Sequence, residues 1–173
     1  MNLHLPDSSA TESLGRALAH SLPGAPRQGA AAGDSGAVLY LYGELGAGKT
    51  TCVRSLLQAL GVTGPVRSPT YTLVETYVLA GLTGTHVDLY RLQSLNEVDE
   101  LGLRDLLGPG TLLLVEWPER GGAALPPADV ELTLRYAGET RHAQLAAKTP
   151  LGAEWLENLG HDSSLKLYVS NLT

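Results

Sequence analysis

Phenylalanine is missing altogether from these 173 residues, and cysteine and methionine occur once each. The lack of phenylalanine, beside abundant Ala, Leu and Gly, is a compositional bias and points to no function. A single cysteine, Cys52, cannot close an internal disulfide, which fits a reducing compartment. No apolar run approaches the ~20 residues that a membrane-spanning helix needs. The segment Met1–Asp7 has neither the basic start nor the apolar core of a secretory signal. The expected setting is therefore cytoplasmic, with no membrane partner. Basic runs are missing too: 12 Lys and Arg stand against 18 Asp and Glu, for a net charge of −6. Strong direct binding to a nucleic-acid backbone normally needs a basic face. Any nucleic acid in this protein's work is thus expected to be held by another protein.

What is present is a phosphate-binding pattern. Gly43-Glu44-Leu45-Gly46-Ala47-Gly48-Lys49-Thr50 fits Gly-x-x-x-x-Gly-Lys-Ser/Thr. Glycines let the backbone turn tightly and bring successive N–H groups toward phosphate oxygens. A helix opening at the end of the loop adds the positive end of its dipole. Lys49 is placed to reach β- and γ-phosphates, and the Thr50 hydroxyl to bind Mg²⁺. The flanks agree. Val38–Tyr42 is a short run of β-formers, and Thr51–Leu60 places Val53, Leu56, Leu57 and Leu60 at helical spacing, with Gly61 as its stop. The expected nucleotide-binding residues are Glu44, Leu45, Gly46, Ala47, Gly48, Lys49, Thr50 and Thr51. Cys52, inside this helix, is expected to be a small buried packing residue rather than a reactive thiol. Asn-Lys-x-Asp, the usual guanine-reading motif of small GTPases, is absent. So is the arginine cluster of a nucleotide-kinase lid. Both absences favour ATP.

The length suits one domain over residues 1–173. Asp7-Ser8-Ser9 offers caps for a helix over 11–20 whose core face holds Leu14, Ala17 and Leu18. A Pro/Gly/Ala-rich exposed connection follows over 22–36. Ser68–Tyr77 is rich in β-formers. A turn over Gly81–Gly84 would join it to His86–Tyr90 as a hairpin. Ser94-Leu95-Asn96-Glu97 is a capping box. Thr111–Glu116, nearly all apolar, suits a central parallel strand. Val130–Tyr136 and Arg141–Ala146 read as an antiparallel hairpin, and Pro150–Leu159 as a closing helix. Residues 160–173 form an uninformative tail.

Candidate chemistry follows from placement. Glu116 ends a buried strand, where a carboxylate is costly unless solvated or paired. It is either the second Mg²⁺ ligand of a P-loop site or an ordinary strand-end acid. Asp88 either orients or deprotonates an attacking water, with support of Mg²⁺ as a further role, or caps the next turn. His86 reads as a packed or surface histidine. Ser68, Pro69, Thr70, Tyr71 and Thr72 form either a nucleotide-ordered switch segment or part of a plain edge strand. Arg141 is either a nucleotide contact or a solvated arginine. Three functions stay open on these residues: an ATPase, a phosphotransferase acting on a small metabolite, and a non-catalytic nucleotide-gated binding module.

Five blocks in order and spacing resemble the bacterial TsaE (YjeE-type) ATPases of tRNA threonylcarbamoyladenosine formation. They are Leu41–Thr51, Ser68–Glu75, His86–Leu92, Gly102–Asp105 and Val115–Glu119, within a similarity running from about residue 5 to 146. The resemblance implies an α/β fold, the P-loop NTPase three-layer sandwich, with central parallel strands flanked by antiparallel ones. It implies ATP and Mg²⁺ as ligands, slow hydrolysis alone, and action with TsaB and the catalytic TsaD, through which tRNA is met indirectly. Residue by residue, Thr50 and Glu116 match Mg²⁺ positions, Asp88 the acid of hydrolysis, with Lys49, and Ser68–Glu75 the switch. Trp117 matches a tryptophan beside the nucleotide, Arg141 a nucleotide contact, and Ser8 and Thr11 an N-terminal approach to it. Glu44 stands where the family usually has Asp, on a side chain expected to point off the loop. The 22–36 segment is longer than typical.

Overall fold

The computed structural model describes residues 1–24, 36–79, 81–92 and 94–169. The connection expected over 22–36 falls mostly outside these residues, as does the end of the tail. Among them run seven strands and four helices: β1 (Asn2–Leu5), α1 (Ser8–Ser21), β2 (Ala37–Tyr42), α2 (Lys49–Ala59), β3 (Val74–Leu79), β4 (Leu82–Asp88), α3 (Leu95–Glu100), β5 (Thr111–Glu116), β6 (Val130–Ala137), β7 (Thr140–Ala147) and α4 (Pro150–Gly160). No helix here is long and apolar enough to cross a membrane.

The sheet runs β1-β7-β6-β2-β5-β4-β3. β6, β2, β5 and β4 run parallel to one another. Antiparallel β3 flanks them on one side, and β7 and β1 on the other. Period-two alternation divides the core. Leu39, Leu41, Leu112 and Leu114 face α1, α2 and α4. Val38, Tyr40, Val87, Leu113 and Val115 face the layer that includes α3. This is the expected three-layer α/β sandwich of a P-loop NTPase. Ridge contact between α1 and α2 depends on Gly15: a Cβ there would lie 2.3 Å from the Cys52 carbonyl oxygen and 2.9 Å from Ser55 Cβ. Trp155 closes α4 onto α1, fully buried, its Nε1 donating to the Leu18 carbonyl at 2.9 Å.

Several expectations change. α1 begins at Ser8 rather than near residue 11, because Asp7 accepts from the Ala10 N–H at 2.9 Å and is the cap. β1 was not expected; its four residues have little signal of their own and are stabilised by pairing with β7. Strand structure in Ser68–Tyr77 starts only at Val74, and Leu82–Gly84 belong to β4 rather than to a turn, since Leu79 pairs directly with Leu82. The helix opened by the Ser94–Glu97 capping box is short: α3 ends at Glu100, and Gly102, at φ 60°, lies beyond it, so Leu103, Leu106 and Leu107 fall outside the helix. The tail packs back on the domain: Leu165 is buried, the His4 N–H donates to the Tyr168 carbonyl at 2.7 Å, and Val169 bridges Leu3. Leu22 is buried, not exposed.

Candidate functional site

The glycine loop joins β2 to α2 at the carboxyl edge of the parallel strands. Gly43 (φ 140°) and Gly48 (φ 108°) adopt backbone that L side chains rarely reach. A Cβ at Gly43 would also meet the Leu134 carbonyl oxygen at 2.3 Å. Gly48 is the N-cap of α2 with no side-chain cap, so the first-turn N–H groups are not covered by a capping side chain. Lys49 is buried under this loop, and its Nζ donates to the carbonyls of Gly43 (2.6 Å) and Glu44 (3.0 Å). Burial pushes its pKa down, opposed by the charges of Glu116, Asp88 and Glu119. Nζ lies 3.9 Å from the centroid of the Trp117 ring. Trp117 itself sits at φ 60°, ψ 47°, which turns the chain sharply after β5.

Two carboxylates stand side by side on this edge because β4 and β5 pair in register, Asp88 opposite Glu116. Glu116 accepts from the Thr50 hydroxyl (Oε1 2.8 Å, Oε2 3.1 Å) and contacts His86 Nε2 at 2.9 Å. Its burial is thus compensated by hydrogen bonds. Asp88 Oδ2 accepts from Ser68 Oγ (2.6 Å) and Thr70 Oγ1 (2.9 Å), and Oδ1 from the Tyr90 N–H (3.0 Å). Thr50, Asp88, Glu116, Ser68 and Thr70 face one cleft of about 470 Å³, bounded also by Lys49, Trp117, Tyr71, Tyr90 and Arg91.

Not every expected residue lines it. Gly46, Leu45, Gly48 and Thr51 do. Ala47 is buried in the core instead, and the Glu44 side chain is exposed while its carbonyl holds Lys49. Pro69 and Thr72 lie outside the cleft wall; the Pro69 carbonyl accepts from the Leu73 N–H. Ser8 is exposed in the first turn of α1 and lines no part of the cleft. Thr11 is buried against Gly48: its Cγ2 lies 3.2 Å from where a Gly48 Cβ would sit, and Arg141 Nε 3.7 Å from the same point. Arg141 Nε is buried with no hydrogen-bond partner, and the guanidinium lies 5.6 Å from the Tyr136 ring centroid.

Sequence reasoning gave no role to Tyr90, Arg91 or Tyr136. Tyr90 packs on Trp117 (5.0 Å between centroids), Arg91 on Tyr71 (4.2 Å), and the Tyr136 hydroxyl donates to the Leu45 carbonyl (3.4 Å). His86 is packed, as expected, but also bonded to Glu116. The period of two that puts His86 and Asp88 on one face of β4 was the available signal. Among the described residues no three His, Cys, Asp or Glu side chains converge as a metal site. The hard oxygens of Thr50 and Glu116 suit Mg²⁺, which needs few protein ligands and keeps several waters.

A family model described as "Threonylcarbamoyl adenosine biosynthesis protein TsaE" matches residues 5–144. The chain is similar to the tRNA threonylcarbamoyladenosine biosynthesis protein TsaE of Haemophilus influenzae, 46% identical over 115 residues, covering 66% of this chain and 73% of that one. The Nostoc protein of the same name is 34% identical over 150 residues, 83% of each chain. The crystal structure of Bacillus subtilis YdiB superposes with a TM-score of 0.70 at 25% identity, over 92% of this chain and 93% of that one.

Proposed function

The chain belongs to the TsaE family, whose members serve tRNA threonylcarbamoyladenosine biosynthesis, and from that premise we propose that it binds and hydrolyses ATP for that modification, acting with TsaB and TsaD. One observation carries this reading: the Thr50 hydroxyl and the Glu116 carboxylate meet at the head of the glycine loop, with Asp88 beside them on the same edge. Thr50 spends its proton on Glu116, which leaves its oxygen lone pairs free for a cation. Thr50 and Glu116 would hold Mg²⁺, which would supply neutralisation of phosphate charge. Lys49 would exchange two loop carbonyls for phosphate oxygens. Asp88 would orient the attacking water and accept its proton. The Ser68 and Thr70 hydroxyls on Asp88 link that acid to the switch segment, so a change in the segment changes the acid's hydrogen bonds. Trp117 and Tyr90 would form the apolar wall. Arg141 and Thr11, both beside Gly48, would contact the nucleotide there; Ser8 is the least favoured contact.

Partners supply what this chain lacks. Its net charge of −6 fits a component that leaves tRNA to TsaB–TsaD, in the cytoplasm. Phosphate release from Mg-ATP, with and without TsaB–TsaD, tests the proposal. Stimulation by the complex that disappears in Glu116→Ala supports it. A phosphorylated acceptor in place of free phosphate would make the protein a phosphotransferase. Partner binding that depends on ATP, with Glu116 and Asp88 variants fully functional in cells, would make it a nucleotide-gated module. Neither stimulation nor binding to the complex would remove the tRNA-modification role.

A further inference from the structure

His86 is the most deeply buried polar side chain near the cleft, with no solvent exposure, yet it lines no part of the cleft wall. It lies on β4 two residues before Asp88, on the sheet face that carries α2. Its Nε2 is 2.9 Å from Glu116 Oε1, the same oxygen that takes the Thr50 proton at 2.8 Å. A carboxylate has only acceptors, so Nε2 carries the proton and donates. Nδ1, the other ring nitrogen, is buried with no hydrogen-bond partner. Packing alone would be served better at this position by Leu or Met, which leave no polar atom unpaired. A histidine kept here with one nitrogen unpaired and the other on Glu116 is placed for that single bond.

We propose that His86 is a positioning residue: through Nε2–H it holds the Glu116 carboxylate turned toward Thr50, setting the geometry of the oxygen pair that takes a divalent cation. This rests on the Mg²⁺ role given to that pair above. His86 touches neither nucleotide nor cation. Glu116 is anchored from behind by the imidazole and from in front by the Thr50 hydroxyl, so its rotamer is restricted before a cation arrives. Without the imidazole the carboxylate keeps one tether, and holding it in place must then be done at the expense of cation affinity. Outer partners of this kind are typically worth ~10- to 100-fold in metal affinity or activity.

The test has two parts. Long-range ¹H–¹⁵N correlation of the full-length protein without nucleotide reads the His86 tautomer directly, and it does not depend on any ATPase activity. The Nε2–H form, altered in Glu116→Gln, is expected; an Nδ1–H form would overturn the proposal. Titration of Mg²⁺ against a fluorescent ATP analogue then compares wild type with His86→Leu and His86→Gln. In His86→Leu the Mg²⁺ half-saturation should rise about 10- to 100-fold while Mg²⁺-free nucleotide affinity stays put. His86→Gln, whose amide reaches as far as Nε2, should recover most of the loss. A merely structural role would move both affinities together, or neither, and show no rescue. Should His86→Leu fail to fold, His86→Asn, whose amide is too short to reach Glu116, takes its place against His86→Gln. An unshifted half-saturation in the folded variant overturns the proposal. Nucleotide binding by the wild type that ignores Mg²⁺ would strike the proposed Mg-ATP function and this inference's cation role together, whereas the tautomer result separates the Glu116 contact from both.

Discussion

Asp88 has three donors on two oxygens, and each comes from a different part of the switch region or the turn after β4. Asn at this position keeps one acceptor and removes the carboxylate proposed as the base. Asp88→Asn is expected to lower phosphate release by ~10²- to 10⁴-fold, the usual worth of a positioned proton acceptor. Nucleotide affinity should stay within a few-fold, which equilibrium binding checks. Cys52 gives a prediction of a different kind. Burial, and next the Glu116 charge, push its thiol from an ordinary value of 9.0 up to about 12. Above about pH 9 the unfolded chain releases this proton while the folded chain keeps it. Stability from this group is therefore complete below pH 9 and is lost as pH rises toward 12, by up to ~1.4 kcal/mol per pH unit. Tyr42, pushed by burial and then by Glu131 to about 12, adds to the loss only above its ordinary 10.0. Denaturant unfolding from pH 8 to 10 should show a decline in the wild type that Cys52→Ala flattens. The motif made Lys49 and Thr50 legible from sequence alone, and the apolar run ending in an acid made Glu116 a candidate. It could not show that His86, 30 residues before Glu116 in the chain, touches it, because that contact exists only when β4 lies beside β5.

At the scale of elements, β2, the glycine loop and α2 were readable because their signals are local: a β-rich run, glycines where φ is positive, and a helical period. β5, β6 and β7 matched their expected spans almost residue for residue, whereas β1 and the β3–β4 region were read less well. Ser68–Leu73 has β-forming residues but no strand structure, since its hydroxyls are engaged by Asp88 and Val74 is the first residue to pair with β4. Tertiary contact overrode propensity there. β1 had no local signal, and α1 gained a turn from Asp7. The α1–α2 contact is close enough to leave no room for a side chain at Gly15. Gly15→Ala places a Cβ 2.3 Å from the Cys52 carbonyl, a clash with backbone that only separation of the helices relieves. It is expected to cost about 1–3 kcal/mol, despite the better helix propensity of alanine, and urea unfolding would measure this. The loss also reaches the site, because α2 begins at Lys49 and Thr50.

For the whole molecule, the expectations concern the proposed ligand and the net charge of −6. If Mg-ATP binds the folded chain alone, saturating it at about 100 times its Kd should add ~2.7 kcal/mol of stability. Thermal unfolding with and without Mg-ATP reads this, and Lys49→Ala should abolish the shift. An acidic protein of this charge is expected to show no salt-sensitive association with tRNA by itself, and to show it only with TsaB–TsaD.

The sequence alone determined the loop chemistry, the helix that follows it, the acidic balance and the two carboxylates at strand ends, because each is written in adjacent residues or in a short period. The tertiary structure decided which of them meet. Strand order β2-β5-β4 carries Glu116 across to Thr50, and the register of Asp88 with Glu116 sets the acids together and His86 behind them. No window of the chain contains those pairs. They follow from which hydrophobic faces share a core and from a sheet register in which a slip of one residue would turn every one of these side chains to the opposite face.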